Sequence, residues 1–149
     1  MHVETALEVA ALPHTVYDAV AAVERWPSFL PHYRYVRQNA DGSFAMAARR
    51  GWIPVRWAAR VEGDPSLPAL RFRHTAGWTR GMEVCWRFEP SCGGTQVTIV
   101  HDLDTRTQPL AGEWFARRVV GEFFVEAIAR RTLHYVKELL EGRRRSTSP

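Results

Sequence analysis

Apolar and polar residues alternate with a period of two over most of this chain, broken near each end by stretches with helical spacing. A first strand is predicted over Val3–Val9, with Val3, Thr5, Leu7 and Val9 on one face. Val16, Val20 and Val23 then recur at helical spacing, and Thr15 followed three residues later by Asp18 fits a capping box at the start of a first helix. Pro27 and Pro31 restrict the next helical segment to about one turn. Trp26, Phe29 and Leu30 in that turn are expected to pack inward or cover a cavity mouth.

Period two returns from Tyr33 to Thr105, with turn signals at Asp41-Gly42, Gly51, Gly63-Asp64-Pro65, Gly77 and Cys92-Gly93-Gly94. This predicts an antiparallel meander of five further strands after the one that begins near Tyr33. Alternation puts Phe44, Met46 and Ala48 on the inner face, then Val55, Trp57, Ala59 and Val61, then Leu70, Phe72 and His74. Met82, Val84, Trp86 and Phe88 follow, with Val97, Ile99, His101 and Leu103. The last element is a long helix from about Pro109 to Glu141, with Phe124, Ile128, Thr132, Tyr135, Val136 and Leu139 on one side. Residues 1–141 are expected to form one domain and 142–149 a disordered basic tail.

Composition fits a core of ordinary size: 149 residues, 46% hydrophobic and 24% charged. The net charge is +4, but Arg143, Arg144 and Arg145 supply three of those charges, so the body carries no excess that marks a nucleic-acid partner. No run approaches the roughly 20 apolar residues of a membrane span, and a cytoplasmic protein is expected. Cys85 and Cys92 lie too far apart along an extended strand to bridge, which predicts two free thiols.

The candidate chemistry lies on the inner face. Trp26, Tyr33, Trp57, Phe72 and Trp86 offer flat aromatic walls. Any one of them would serve equally as core, but so many on one concave face suggest a cavity for a flat or extended ligand. His74 and His101 sit on strands flanking that of Trp86, roughly 10 Å apart by strand spacing. That suits two polar contacts along one ligand better than a shared metal, and Glu83 and Asp102 alternate to the other face. No nucleophile elbow, glycine-rich phosphate loop or activated cysteine is present, so a reaction here would run on proton transfer and positioning.

The run Pro13-His14-Thr15-Val16-Tyr17-Asp18-Ala19-Val20, followed by Trp26-Pro27-Ser28-Phe29-Leu30-Pro31-His32-Tyr33, resembles the start of the START-like (SRPBCC) helix-grip domains. The resemblance is strongest to their polyketide cyclase/dehydrase, or aromatase/cyclase, branch and extends from Val3 to about Leu140. It implies an α+β fold in which a curved antiparallel sheet of about seven strands wraps around a long C-terminal helix, with two short helices after the first strand. The implied function is folding of a poly-β-ketone chain in an apolar pocket, aldol ring closure and dehydration, without a metal or organic cofactor. Tyr33 matches a pocket tyrosine and Trp57 a pocket tryptophan. Where well-known aromatases carry an inward serine and then an inward arginine, this chain has Ala59 and Val61, and Arg60 faces away. His74, His101 or Arg50 would then complete a catalytic set with Tyr33, with Arg50 near the mouth. Trp26, Phe29, Trp57, Phe72, Trp86, Met82, Phe124 and Ile128 would bind the ligand. The implied partners are a hydrophobic small molecule or polyketide intermediate and an acyl carrier protein, on a monomer or homodimer. A non-catalytic carrier of a quinone, isoprenoid or acyl lipid is the alternative.

Overall fold

The computed structural model describes residues 1–77, 79–103 and 111–146, with side chains in the last helix described from Glu122 to Arg143. Strand β1 (His2–Val9) leads into helix α1 (Pro13–Ala21), a single 3-10 turn (Val23–Arg25) and the one-turn helix α2 (Trp26–Phe29). Six strands follow: β2 (Tyr33–Gln38), β3 (Phe44–Arg50), β4 (Ile53–Asp64), β5 (Ala69–Gly77), β6 (Glu83–Ser91) and β7 (Gly94–Asp102). Helix α3 (Ala111–Ser146) closes the order. The seven strands form one antiparallel sheet ordered β1-β7-β6-β5-β4-β3-β2, so the first strand pairs with the last and the rest is a meander. This is the expected helix-grip arrangement.

The alternation predicted from sequence is the alternation observed. In β6, Val84, Trp86 and Phe88 are buried while Glu83, Arg87 and Glu89 are exposed. Arg60 faces solvent beside Asp41, as its phase requires. Register shifts at Tyr33/Tyr35 and at Ala58/Ala59 bend the sheet around α3, because an extra residue on one strand increases local twist.

Several boundaries differ from the sequence expectation. Helix α1 begins at Pro13 rather than at a Thr15 cap: Leu12 is the N-cap, with no side-chain capping bond. Proline at the first helical position lacks only an N–H that has no partner there in any case. Strand β4 runs through Gly63 and Asp64, paired with Leu70 and Ala69, and the turn falls just after it, where the Ser66 N–H donates to Asp64 Oδ1 at 2.9 Å. The buried line of α3 is Val125, Ala129, Thr132, Leu133, Val136 and Leu140; Thr132 and Val136 were expected there, and the others lie one position round from the predicted Phe124, Ile128 and Leu139. Phe124, Ile128 and Tyr135 flank it, half-buried, and α3 continues past Glu141 to Ser146. The expected helix start at Pro109 and residues 147–149 of the tail lie outside the described residues.

Gly77 ends β5 opposite Trp57 with φ +90°. A Cβ there would collide with the Arg56 carbonyl oxygen and come within 2.9 Å of Trp57 Cα. Gly77→Ala is therefore expected to cost about 2–3 kcal/mol through backbone strain, read as a lowered denaturation midpoint, whereas Gly42→Ala, with open space around it, pays the positive-φ cost alone.

Candidate functional site

The sheet's concave face and α3 do not meet at the end where β4 begins and β7 ends. A cavity of ≈ 90 Å³, open at one side, lies between them. Its walls are apolar: Trp26, Trp57, Phe72 and Trp86 from the α2 turn and the sheet, Met46, Met82 and Ile99 between them, and Phe124, Ile128 and Ala129 from α3. Trp26 organises one wall. Its indole N–H donates to the Val20 carbonyl at 2.9 Å, and its ring centroid lies 5.1 Å from that of Tyr33, 5.5 Å from Phe72 and 5.8 Å from Trp86.

Besides the indoles, five hydrogen-bonding side chains among the described residues line this apolar space: Tyr33, His74, Thr79, His101 and Thr132. His74 is held on two sides. Its Nδ1 lies 2.6 Å from the Thr79 hydroxyl, and its ring stacks on Trp57 at 5.7 Å with an interplanar angle of 9°. Burial lowers its pKa to about 3, with the nearby His101 ring contributing in the same direction. His101, opposite Val84 across the β6–β7 pair, has a buried Nδ1 without a hydrogen-bond partner. Burial lowers its pKa to about 4 against the small opposing pull of Asp102. Both imidazoles are therefore neutral at neutral pH, since desolvation disfavours the cation.

The other side of the cavity carries a network centred on Thr132. Its hydroxyl donates to the Ile128 carbonyl one turn back at 2.8 Å, a bond that inward-facing threonines in helices commonly make. Oγ1 also lies 2.8 Å from His32 Nε2 and is the hydrogen-bond partner of the Tyr33 side chain. With the Thr132 proton on Ile128, a lone pair of the hydroxyl accepts from the His32 N–H. Burial raises the Tyr33 pKa above its ordinary value and keeps the phenol protonated. Burial, aided by Arg131, lowers His32 to about 4.

Of the residues singled out from sequence, Tyr33, His74 and His101 all line the cavity, as do Trp26, Trp57, Phe72, Trp86, Met82, Phe124 and Ile128. Phe29 does not. A one-turn helix aims one side chain into the cavity, Trp26 takes that place, and Phe29 packs half-buried against the core cluster. Arg50 stands outside the wall, its guanidinium 3.2 Å from the ring centroid of Phe123 and 5.7 Å from that of Phe124, so it marks the rim. Sequence reasoning missed His32, Thr79 and Thr132 as site residues. The available signals were a histidine next to Tyr33 and a threonine on the inward side of an otherwise apolar helix face. Among the described residues, no group of three His, Cys, Asp or Glu side chains is placed to hold a metal ion, and no helix is long and apolar enough to cross a membrane. Cys85 and Cys92 are free.

The three depressed histidines make stability depend on pH with a definite sign. In the unfolded chain each takes up a proton near pH 6.5, whereas in the fold His32 and His101 do so near 4 and His74 near 3. Stability is thus fully present above about pH 6.5 and falls as pH drops toward 4, by about 1.4 kcal/mol per pH unit for each fully shifted group. Urea denaturation across this range is expected to show that decline and a shallower slope in His74→Gln; a flat profile would contradict the burial of these rings.

Comparisons with known proteins agree with this geometry. The family model described as polyketide cyclase / dehydrase and lipid transport matches residues 9–131. The chain is 29% identical over 103 residues to the actinorhodin polyketide synthase bifunctional cyclase/dehydratase of Streptomyces coelicolor, covering 65% of this chain and 33% of that protein. It is 30% identical over 149 residues to the granaticin polyketide synthase bifunctional cyclase/dehydratase of Streptomyces violaceoruber, covering 92% of this chain and 46% of the relative. The chain thus spans less than half the length of either curated relative. Among solved structures, the Zhui aromatase/cyclase from Streptomyces sp. R1128 superimposes with a TM-score of 0.82 at 24% identity, covering 96% of this chain and 94% of that one.

Proposed function

Because the chain belongs to the polyketide cyclase / dehydrase and lipid transport family, we propose that it is a cyclase/dehydratase unit that folds a poly-β-ketone chain in its cavity, closes a ring by aldol addition and assists loss of water. The observation that carries this reading is the placement of Tyr33, His74 and His101 together in the wall of an otherwise apolar cavity, the phenol protonated and both imidazoles neutral. Hydrogen-bonding groups that line an apolar space cost free energy unless a ligand's polar groups complete them. A purely apolar cargo offers none, whereas a chain of ketones offers them along its length.

In this reading a neutral imidazole, that of His101, removes a proton from the carbon between two carbonyls, and the Tyr33 hydroxyl donates a hydrogen bond to the enolate oxygen. Burial makes His101 a weak base in the empty cavity. The negative charge developing on the enolate offsets that penalty in the same step, because an adjacent anion favours the imidazolium. The enolate carbon then attacks a second carbonyl of the same chain, and the new alkoxide takes the proton back from the His101 imidazolium. His101 next removes the remaining proton from the same carbon and returns it to the departing hydroxyl, so that water leaves, with neutral His74 placed to hydrogen-bond that hydroxyl. The aromatic walls set which carbonyl is reached, and holding one folded geometry in this way accounts for much of the rate. The cavity, at ≈ 90 Å³, is small and open at one side. It therefore suits the ring-forming end of a chain, with the remainder extending through the open side to Arg50 at the rim and to an acyl carrier outside it.

His101→Ala and Tyr33→Phe are each expected to lower ring closure by about 10²-fold and to broaden the product pattern, while Trp57→Ala alters the pattern more than the rate. Incubation with a reactive poly-β-ketone thioester and product analysis checks this. A tightly bound quinone or acyl lipid, with products indifferent to all three substitutions, would contradict the cyclase and leave a carrier.

A further inference from the structure

The cavity's rim carries a feature that the chemistry above does not use. From Phe44 through Arg60 the chain contains four arginines and neither aspartate nor glutamate. That span is the β3–β4 hairpin, closed by the pair Arg50–Ile53 around the two-residue turn Gly51-Trp52. Gly51 adopts φ +59°, as the first turn position of a tight type II′ hairpin requires. Trp52 at the tip is 88% exposed, unusual for the side chain with the most apolar surface to lose.

The hairpin is firmly mounted. The Arg49 N–H donates to the His32 carbonyl at 2.8 Å, and Arg50 lies over Phe123, itself 60% exposed. Val55, two residues beyond Ile53, and Phe124, next to Phe123, both line the cavity. On the sheet's outer face Arg60, Arg73 and Arg87 pair with Asp41, Glu83 and Glu4, whereas Arg49 and Arg56, in the same outward phase but next to the tip, are exposed and have no acidic partner among the described residues.

We propose that the tip of the β3–β4 hairpin docks an acidic protein that presents its cargo at the cavity mouth, with Trp52 as the anchor and Arg49 and Arg56 as the charges that steer and orient it. The proposal rests on the cyclase/dehydratase reading for the nature of the cargo. An exposed indole at a hairpin tip with arginines on both flanking strands has the composition of a protein–protein hot spot. One indole, a partly exposed Ile53 and a Phe123 ring covered by a guanidinium offer little apolar area for insertion into lipid, which requires a broad apolar face. Unpaired arginines complement carboxylates and speed encounter in a salt-dependent way.

The test is titration of purified holo-acyl carrier protein from an aromatic polyketide synthase against wild type, Trp52→Ala, the pair Arg49→Glu with Arg56→Glu, and Arg71→Glu on the convex face. The hairpin variants are expected to weaken binding by about tenfold or more, Arg71→Glu to leave it unchanged, and added salt to weaken wild type most. Turnover of a free N-acetylcysteamine thioester substrate should be the same in Trp52→Ala as in wild type. Carrier affinity indifferent to the hairpin variants would overturn the docking site, as would hairpin-dependent binding to phosphatidylglycerol vesicles in place of the carrier. Failure of wild type to turn over the free thioester would instead count against the cyclase reading, leaving the binding data to decide the surface.

Discussion

The hydrogen bond from the Trp26 indole to the Val20 carbonyl fixes the element on which the cavity depends. A curved sheet and a helix with apolar inner faces gain by closing on each other, and the cavity left at one end is lined by Trp26, wedged among the rings of the sheet. Trp26 is 3% exposed and touches Tyr33, Phe72 and Trp86, so it is at once core to the α2 turn and wall to the cavity. Pro27 opens that turn, and the extended Leu30 before Pro31 ends it. The rest follows from this wedge: Tyr33 is positioned by its ring contact, Trp57 by Tyr33 at 5.9 Å, and His74 by its stack on Trp57.

Burial within this arrangement has opposite consequences for different groups. It keeps Tyr33 protonated and His32, His74 and His101 neutral, so the described wall carries hydrogen-bonding capacity without fixed charge. Such a surface accepts a chain of neutral ketones without desolvating an ion, yet can stabilise negative charge that forms within it. Charge is instead concentrated on the convex face and at the rim, where Arg50 rests against Phe123. The separation of a neutral interior from a basic entrance gives recognition and chemistry different locations on one small sheet.

The sheet was legible because its alternation is clean: Met82 to Glu89 alone states which face is inner, and the same phase carried to His74 and His101 placed both on the cavity wall. Features set by tertiary contacts were harder to read. Phe29 looked equivalent to Trp26, but one helical turn admits one inward side chain. The face of α3 was placed correctly at Thr132 and Val136 but one position off at Val125, Ala129, Leu133 and Leu140, because apolar residues stand on both sides of that stripe; the bonds from Thr132 to Ile128 and His32 are visible only in the structure. The Thr79 contact that steadies His74 arises from the β5–β6 turn, whose shape no periodicity encodes.

The most direct test of the account is a co-crystal structure with a non-hydrolysable poly-β-ketone mimic. The account predicts the ring-forming end between Trp57 and Ile128, one carbonyl within hydrogen-bonding distance of His101 and another of Tyr33, and the tethered end leaving past Arg50. A mimic bound elsewhere, or one filling the cavity with no polar contact to His101 or Tyr33, would contradict it.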